Sequence, residues 1–211
     1  MFRQLVHVTL SLLLAAALFG ISCRDQEQTQ SPRSEPARQA QPAEESSWAE
    51  QREALVRRIV ARHDLESEAV IQAMKRTRRH LFVPENHRPS AYRDSPLPIE
   101  HGQTISAPSI VAVMTDLLQP QSDDVVLEVG TGSGYQAAVL AHIVEHVYSI
   151  EIIEDLADTA RERLQELGYE NVTVKAGDGY RGWPEHAPFD GIIVTCAPTD
   201  VPEPLIEQLA E

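Results

Sequence analysis

The sequence predicts an α/β fold in which a parallel sheet is flanked by helices and preceded by a helical cap. Three observations predict it. After Pro120, short apolar runs alternate with stretches of helical period. The first of those runs leads straight into Gly130-Thr131-Gly132-Ser133-Gly134. Ahead of Pro120 the long apolar periods are helical.

Each element follows from its own residues. Residues 48–62 carry Leu55, Val56, Ile59 and Val60 at helical spacing, and residues 67–77 carry Val70, Ile71 and Met74 in the same way. Pro84, Pro89, Pro96 and Pro98 then break regular structure. A third helix is predicted over 106–118, with Ile110, Val111, Val113, Met114 and Leu117 as its apolar face. Residues 125–129 read as a short buried strand and 135–144 as a helix. A second strand covers 147–150 and ends in Glu151. A helix over 154–167 is stopped by Gly168. Strands follow over 172–174 and 189–195, and another helix starts at Pro204. Such alternation implies right-handed βαβ units and a parallel sheet.

Composition bounds the function. The chain has 211 residues, a net charge of −14 and 42% hydrophobic residues, which fits one domain with appendages and a substantial core. The acidic excess argues against a protein that tracks nucleic-acid phosphates. At 5% aromatic residues a base-stacking platform is disfavoured as well. The two cysteines, Cys23 and Cys196, cannot form a disulfide framework. Cys196 reads as packing, and Trp48 and Trp183 as structural. His142 and His146 stand four apart, but the second is predicted to start a strand, so no metal site is expected. Tyr92 and Asp94 are placed near a substrate mouth without a chemical role.

The N-terminus reads as a targeting segment over residues 1–23. Arg3 precedes an apolar run that includes residues 8–20, short for a membrane span. Gly20-Ile21-Ser22-Cys23 resembles a bacterial lipobox, with Gly where Leu is more common. The expectation is a secretory or lipoprotein signal. Residues 24–47, rich in Gln, Ser, Pro and Glu, are expected to form a flexible tether between a membrane attachment and the folded domain over 48–211. The predicted location is therefore membrane-associated or periplasmic, with cytoplasm as the alternative.

The glycine turn is the strongest functional signal. A strand that runs into a glycine-rich turn and then a helix puts that turn at the carboxyl edge of the sheet, where open α/β sheets bind ligands. Tyr135 stands where the dinucleotide fingerprint wants its last glycine, and no Gly-Lys-Ser/Thr follows, so neither NAD nor a P-loop is indicated. The G-x-G-x-G spacing resembles the first motif of class I S-adenosylmethionine (SAM)-dependent methyltransferases. Glu151, at the end of the next strand, can accept the hydroxyls of a ribose. Asp178, between Gly177 and Gly179, can accept from an adenine amino group; an ordinary Asp-Gly turn is the plainer reading.

Longer stretches carry a closer resemblance. They are Arg79-His80-Leu81-Phe82-Val83-Pro84, then Ala91-Tyr92-Arg93-Asp94-Ser95-Pro96-Leu97-Pro98-Ile99, then Gly102-Gln103-Thr104-Ile105-Ser106-Ala107-Pro108. VLEVGTGSGYQAAVLA at 126–141, VYSIE at 147–151, GDGYRGWPEHAPFDGIIVT at 177–195 and Cys196-Ala197-Pro198 complete them. From about residue 50 to its end the chain resembles the protein-L-isoaspartate O-methyltransferase family. The resemblance implies a Rossmann-like class I methyltransferase fold. It implies SAM as co-substrate and methyl transfer to the free α-carboxylate of L-isoaspartyl residues in damaged proteins. Ser106 is then the catalytic residue, with Thr104 and Ile105 lining the substrate site. The cofactor set becomes Glu128, Gly130, Gly132, Ser133, Gly134, Glu151, Asp178 and Gly179. Two residues depart from the family pattern. Glu100 stands where Gly is usual, and Ser109 stands where His or Tyr is common.

The family's sheet has seven strands, whereas four are recognisable here. The expectation is a C-terminally shortened domain whose fourth strand has an open apolar edge. Two other functions stay open at this point: a methyltransferase for another substrate, and a membrane-tethered SAM-binding module without activity.

Overall fold

The computed structural model describes residues 5–7, 42–196 and 200–210, with side chains from residue 44 onward. Cys23, the rest of the leader-like run and the tether up to residue 41 lie outside the described residues. A first short strand, β1 (Leu5–His7), is followed by two helices, α1 (Pro42–His63) and α2 (Glu68–Arg76). The first helix begins inside the stretch read as a tether. Its starting proline lacks an N–H that would have no helical partner there, and Glu44 and Glu45 sit favourably in the first turn. Ser67 caps α2 by accepting the Val70 N–H.

The proline-rich stretch forms isolated 3₁₀ turns at Arg79–Leu81 and Glu85–Ser90. A small antiparallel pair follows, β2 (Leu97–Pro98) with β3 (Thr104–Ile105). Helix α3 (Pro108–Leu118) starts two residues later than the apolar period suggests. Ala107 is extended, with ψ 140°, and Pro108 takes the first helical position. Ser106 is therefore not the N-cap. Asp94 does that work from a neighbouring loop, accepting the Ser109 N–H at 2.9 Å.

The βα alternation then runs β4 (Val125–Val129), α4 (Tyr135–Ala141), β5 (His146–Glu151), α5 (Glu154–Glu166), β6 (Val172–Ala176), β7 (Gly191–Val194) and α6 (Glu203–Glu207). The sheet order is β1-β7-β4-β5-β6, and every pair is parallel. Val129 is level with Ile150 on one side and Val194 on the other, so three strands end together. The open edge expected of the strand before Thr195 is not observed: Leu5–His7 pairs with residues 192–194. A bare row of backbone donors and acceptors favours such an addition. Side-chain alternation along β4 sorts its residues between the two layers. Val126 joins the cluster under the cap, whereas Leu127 and Val129 join the cluster on the opposite face with Ile150 and Phe189. Among the described residues, no helix is long and apolar enough to cross a membrane.

The helical cap is tied down by one aromatic cluster. Trp48 stacks on His80 with ring centroids 5.1 Å apart, and His80 Nδ1 lies 2.7 Å from the Tyr92 hydroxyl. Burial, with help from Arg52, Arg78 and Arg88, lowers the His80 pKa to about 4. The unfolded imidazole takes up its proton near 6.5. Stability from the neutral His80 is thus complete above about pH 6.5 and is lost as pH falls towards 4. We expect the melting-temperature gap between the native chain and His80→Asn to be widest at neutral pH and to narrow towards pH 4.5; a gap independent of pH contradicts this.

Candidate functional site

Because β7, β4 and β5 end level, their following turns converge. They enclose a cleft of about 630 Å³ between the sheet edge and the segment 103–106 that leads into α3. The turn after β4 supplies Gly130, Thr131, Gly132 and Ser133. The backbone conformation explains the glycines. Gly130 has φ +103°, and a Cβ there would meet Thr195 Oγ1 at 2.6 Å. The Thr195 hydroxyl is held in place by the carbonyls of Val129 and Gly130, so it cannot easily withdraw. Gly134 serves packing. Its Cβ would press on Leu164 at 3.1 Å, so it lets α5 approach rather than facing the cleft.

Glu151 closes the second side. Its Oε2 accepts the Gly132 N–H at 2.8 Å and its Oε1 accepts the Ile153 N–H at 3.0 Å. Each oxygen retains a lone pair for a ligand hydroxyl. Asp178 lines the third side and also caps its own turn, accepting the Tyr180 N–H at 3.0 Å. Asp178 thus both closes a turn and lines the cleft. Gly179 lines the cleft too, and its α-carbon packs directly on Val129. Ser106 and Thr104 face the cleft from the cap side, with Ile105 buried beside them.

Two sequence-derived cofactor residues fall elsewhere, Gly134, which packs on α5, and Glu128. Glu128 is fully buried and does not line the cleft. Strand alternation turns it to the face opposite Val129, where its Oε2 accepts from the Ser149 hydroxyl at 2.5 Å. Ser149 in turn lies 2.6 Å from the Thr131 hydroxyl. Glu128 thus supports the glycine turn from behind. Its Oε1 has no hydrogen-bond partner among the described residues. Burial, opposed by the Ser149 hydrogen bond and reinforced by Glu151, raises its pKa to about 8.

Other lining residues had no functional reading. Ile152 and Tyr180 stand exposed at the rim, and Met114, Tyr135 and Gln136 form the inner wall. Cys196, read as packing, is exposed and lines the cleft; the turn after β7 carries it out of the core. Ser109 is buried and lies outside the lining. Glu100 lies close enough to Arg163 to favour its charge, and Arg163 in turn donates to the Ser133 carbonyl at 2.9 Å. His101 Nε2 lies 3.7 Å from Asp155. The segment that carries Glu100 is therefore drawn towards α5. Among the described lining residues the charged ones are Glu151 and Asp178, both acidic. A cleft with two carboxylates and positive-φ glycines suits a cationic nucleoside ligand.

A glycine turn at the carboxyl end of β4, an acidic residue closing β5 and a parallel sheet in this order define a class I methyltransferase fold. Residues 50–211 match the family described as protein-L-isoaspartate(D-aspartate) O-methyltransferase. The chain belongs to that family. It is 64% identical over 140 residues to a protein-L-isoaspartate O-methyltransferase 2 of Syntrophobacter fumaroxidans, covering 66% of this chain and 57% of that relative. It is 50% identical over 190 residues to the Synechococcus protein-L-isoaspartate O-methyltransferase, covering 90% and 78%. Thus it spans little more than half the length of the first of these. Among solved structures, a protein-L-isoaspartate O-methyltransferase superposes with TM-score 0.68 at 31% identity, covering 76% of this chain and 52% of the other. A Plasmodium falciparum homologue in complex with S-adenosyl-L-homocysteine gives TM-score 0.65 at 25% identity, covering 76% and 80%.

Two measurements test the geometry. Gly130→Ala combines an unfavourable φ with overpacking against Thr195, so chemical denaturation should show a loss of about 2–4 kcal/mol. Native Glu128 keeps its proton to about pH 8, whereas an unfolded glutamate releases it near 4.3. Its contribution to stability is full at acid pH and drains as pH rises through that window. Glu128→Gln should therefore raise the melting temperature more at pH 8 than at pH 5.

Proposed function

We propose that this chain transfers a methyl group from SAM to the free α-carboxylate of L-isoaspartyl residues in damaged proteins. The observation that carries the reading is the placing of Ser106 and Thr104 on the same cleft as Glu151, Asp178 and the glycine turn. The residues present suit the donor. Glu151 has acceptor capacity for ribose hydroxyls, Asp178 for an adenine amino group, and the backbone at Gly130 and Gly132 can approach a ligand without a side chain of its own intervening. The bound donor would supply an electrophilic methyl on a positively charged sulfur, so no metal is needed to activate it.

The protein's own part is correspondingly small. An α-carboxyl group has a pKa of about 3.3–3.7 and is already ionised at neutral pH, so no general base has to create the nucleophile. A carboxylate oxygen forms the new C–O bond while the methyl–sulfur bond breaks and its electron pair goes to sulfur. Ser106 orients the carboxylate by donating a hydrogen bond, Thr104 and Ile105 border the substrate, and the cleft walls exclude water. These are orientation effects, and such effects contribute large factors in rate.

The same reading places the enzyme at a membrane or in the periplasm, with cytoplasm as the alternative. Its support is the apolar run of residues 8–20 followed by Cys23. Intact mass of membrane-extracted protein tests this: a form cleaved and lipidated at Cys23 supports the tether and means that the mature chain lacks Leu5–His7 and its pairing with β7, whereas an unprocessed Met1 form in the soluble fraction keeps that strand and removes the tether.

Activity is tested with labelled SAM, an isoaspartyl peptide and its normal aspartyl twin. Base-labile label is expected on the first alone; label on neither, despite SAM binding, overturns the enzymatic reading. Ser106→Ala should lower kcat roughly ten- to a hundredfold, the worth of one hydrogen bond to a charged group, with SAM affinity unchanged within about twofold.

A further inference from the structure

We infer that Arg79 and Asp94 are positioning residues for Ser106, fixing the segment 106–109 from its two ends. The inference rests on the methyl-transfer reading above and adds residues that do not line the cleft. Arg79 is completely buried at the start of the 3₁₀ turn below the cap. One guanidinium nitrogen donates to the Ala91 carbonyl at 2.6 Å. The other donates to the Ser95 carbonyl at 3.2 Å and to the Ser106 carbonyl at 3.0 Å. Its face lies 5.7 Å from the centre of the Tyr135 ring, and Tyr135 is part of the inner cleft wall. All three hydrogen-bond acceptors are neutral carbonyls, and the remaining Nε–H has no partner among the described residues.

A buried cation whose hydrogen bonds all go to neutral acceptors is costly to keep; the charge of Asp94 offsets part of the cost, but burial still lowers the Arg79 pKa. The cost has a geometric counterpart. Ala91 and Ser95 bracket Asp94, whose carboxylate accepts the Ser109 N–H. Arg79 therefore grips Ser106 directly and also fixes the loop from which Asp94 grips Ser109. Between the two ties lies the turn from extended chain into α3, which sets where the Ser106 hydroxyl stands. Only a planar fork with several donors can satisfy three carbonyls from separate segments; a lysine ammonium in the same place cannot span them.

The test compares Arg79→Lys, Asp94→Ala, Ser106→Ala and the double variant Arg79→Lys/Ser106→Ala in the full chain. The readouts are steady-state methylation of an isoaspartyl peptide and S-adenosylhomocysteine binding by calorimetry. Arg79→Lys should lose at least tenfold in kcat/KM, more in kcat than in KM, with S-adenosylhomocysteine affinity within about twofold of native. In the double variant the lysine should cost nothing beyond the loss from Ser106→Ala, because both changes remove one unit of function. A general strut would instead give losses that multiply, or would weaken ligand binding, and either result overturns the inference. Should Arg79→Lys not fold, the exposed Asp94→Ala must show at least a fivefold kcat loss with ligand affinity kept; wild-type turnover there overturns the inference. A native chain that binds the ligand but does not methylate the peptide overturns the parent reading and this one together. An active native chain with an equally active Arg79→Lys overturns this one alone.

Discussion

The structure depends on a lack of room. Where β4 ends, the backbone at Gly130 passes so close to Thr195 that no side chain fits between them. That contact lets the turns after β4 and β7 lie side by side. With Glu151 holding the Gly132 N–H, three strand ends are drawn into one rim. The cleft is a product of this crowding. At Gly130 main chain is all that the packing admits, and bare main chain is what a nucleoside-sized ligand can approach closely.

The electrostatics follow from the division of the cleft. The substrate proposed for this chain of net charge −14 is anionic, and the lining carboxylates of its cleft are Glu151, at the end of β5, and Asp178, in the turn after β6. They face the place for a cation. On the side proposed for the substrate stand Ser106 and Thr104, neutral hydroxyls that would accommodate a carboxylate without a second negative charge beside it. Glu100 fits the same pattern, since it lies near Arg163 on α5. Behind the glycine turn, Glu128 is withdrawn from solvent and stays protonated to about pH 8, so it adds little negative charge at neutral pH.

Much of this was legible because buried parallel strands read as apolar runs and positive-φ turns demand glycine. The run at 125–129, the glycines after it and the acid at 151 were therefore visible in sequence, and the structure brings Gly130, Gly132, Ser133, Glu151, Asp178, Gly179 and Ser106 to one cleft. What was missed depends on direction or on distant contacts. Glu128 sits one residue from the cleft-lining Val129, but period two turns it the other way. The start of α3 was misplaced because its cap comes from Asp94, fifteen positions earlier. Arg79 gave no signal of a buried role: within Lys75-Arg76-Thr77-Arg78-Arg79-His80 it reads as one more surface cation, and only the folded chain shows the three carbonyls around it. The pairing of Leu5–His7 beside β7 was hidden for a similar reason, since an apolar leader and an edge strand share one composition.

Cys196 has a consequence of its own. Sulfur in its thiolate form is a better nucleophile than a carboxylate, and a cleft that takes the proposed methyl donor would expose any thiolate in its wall to alkylation. Partial desolvation, with the negative charge of Glu151 close by, raises the Cys196 pKa and keeps it in the sluggish thiol form. In the proposed reaction the carboxylate assigned to the ligand's sugar would thereby also help to keep a neighbouring thiol from intercepting the methyl group.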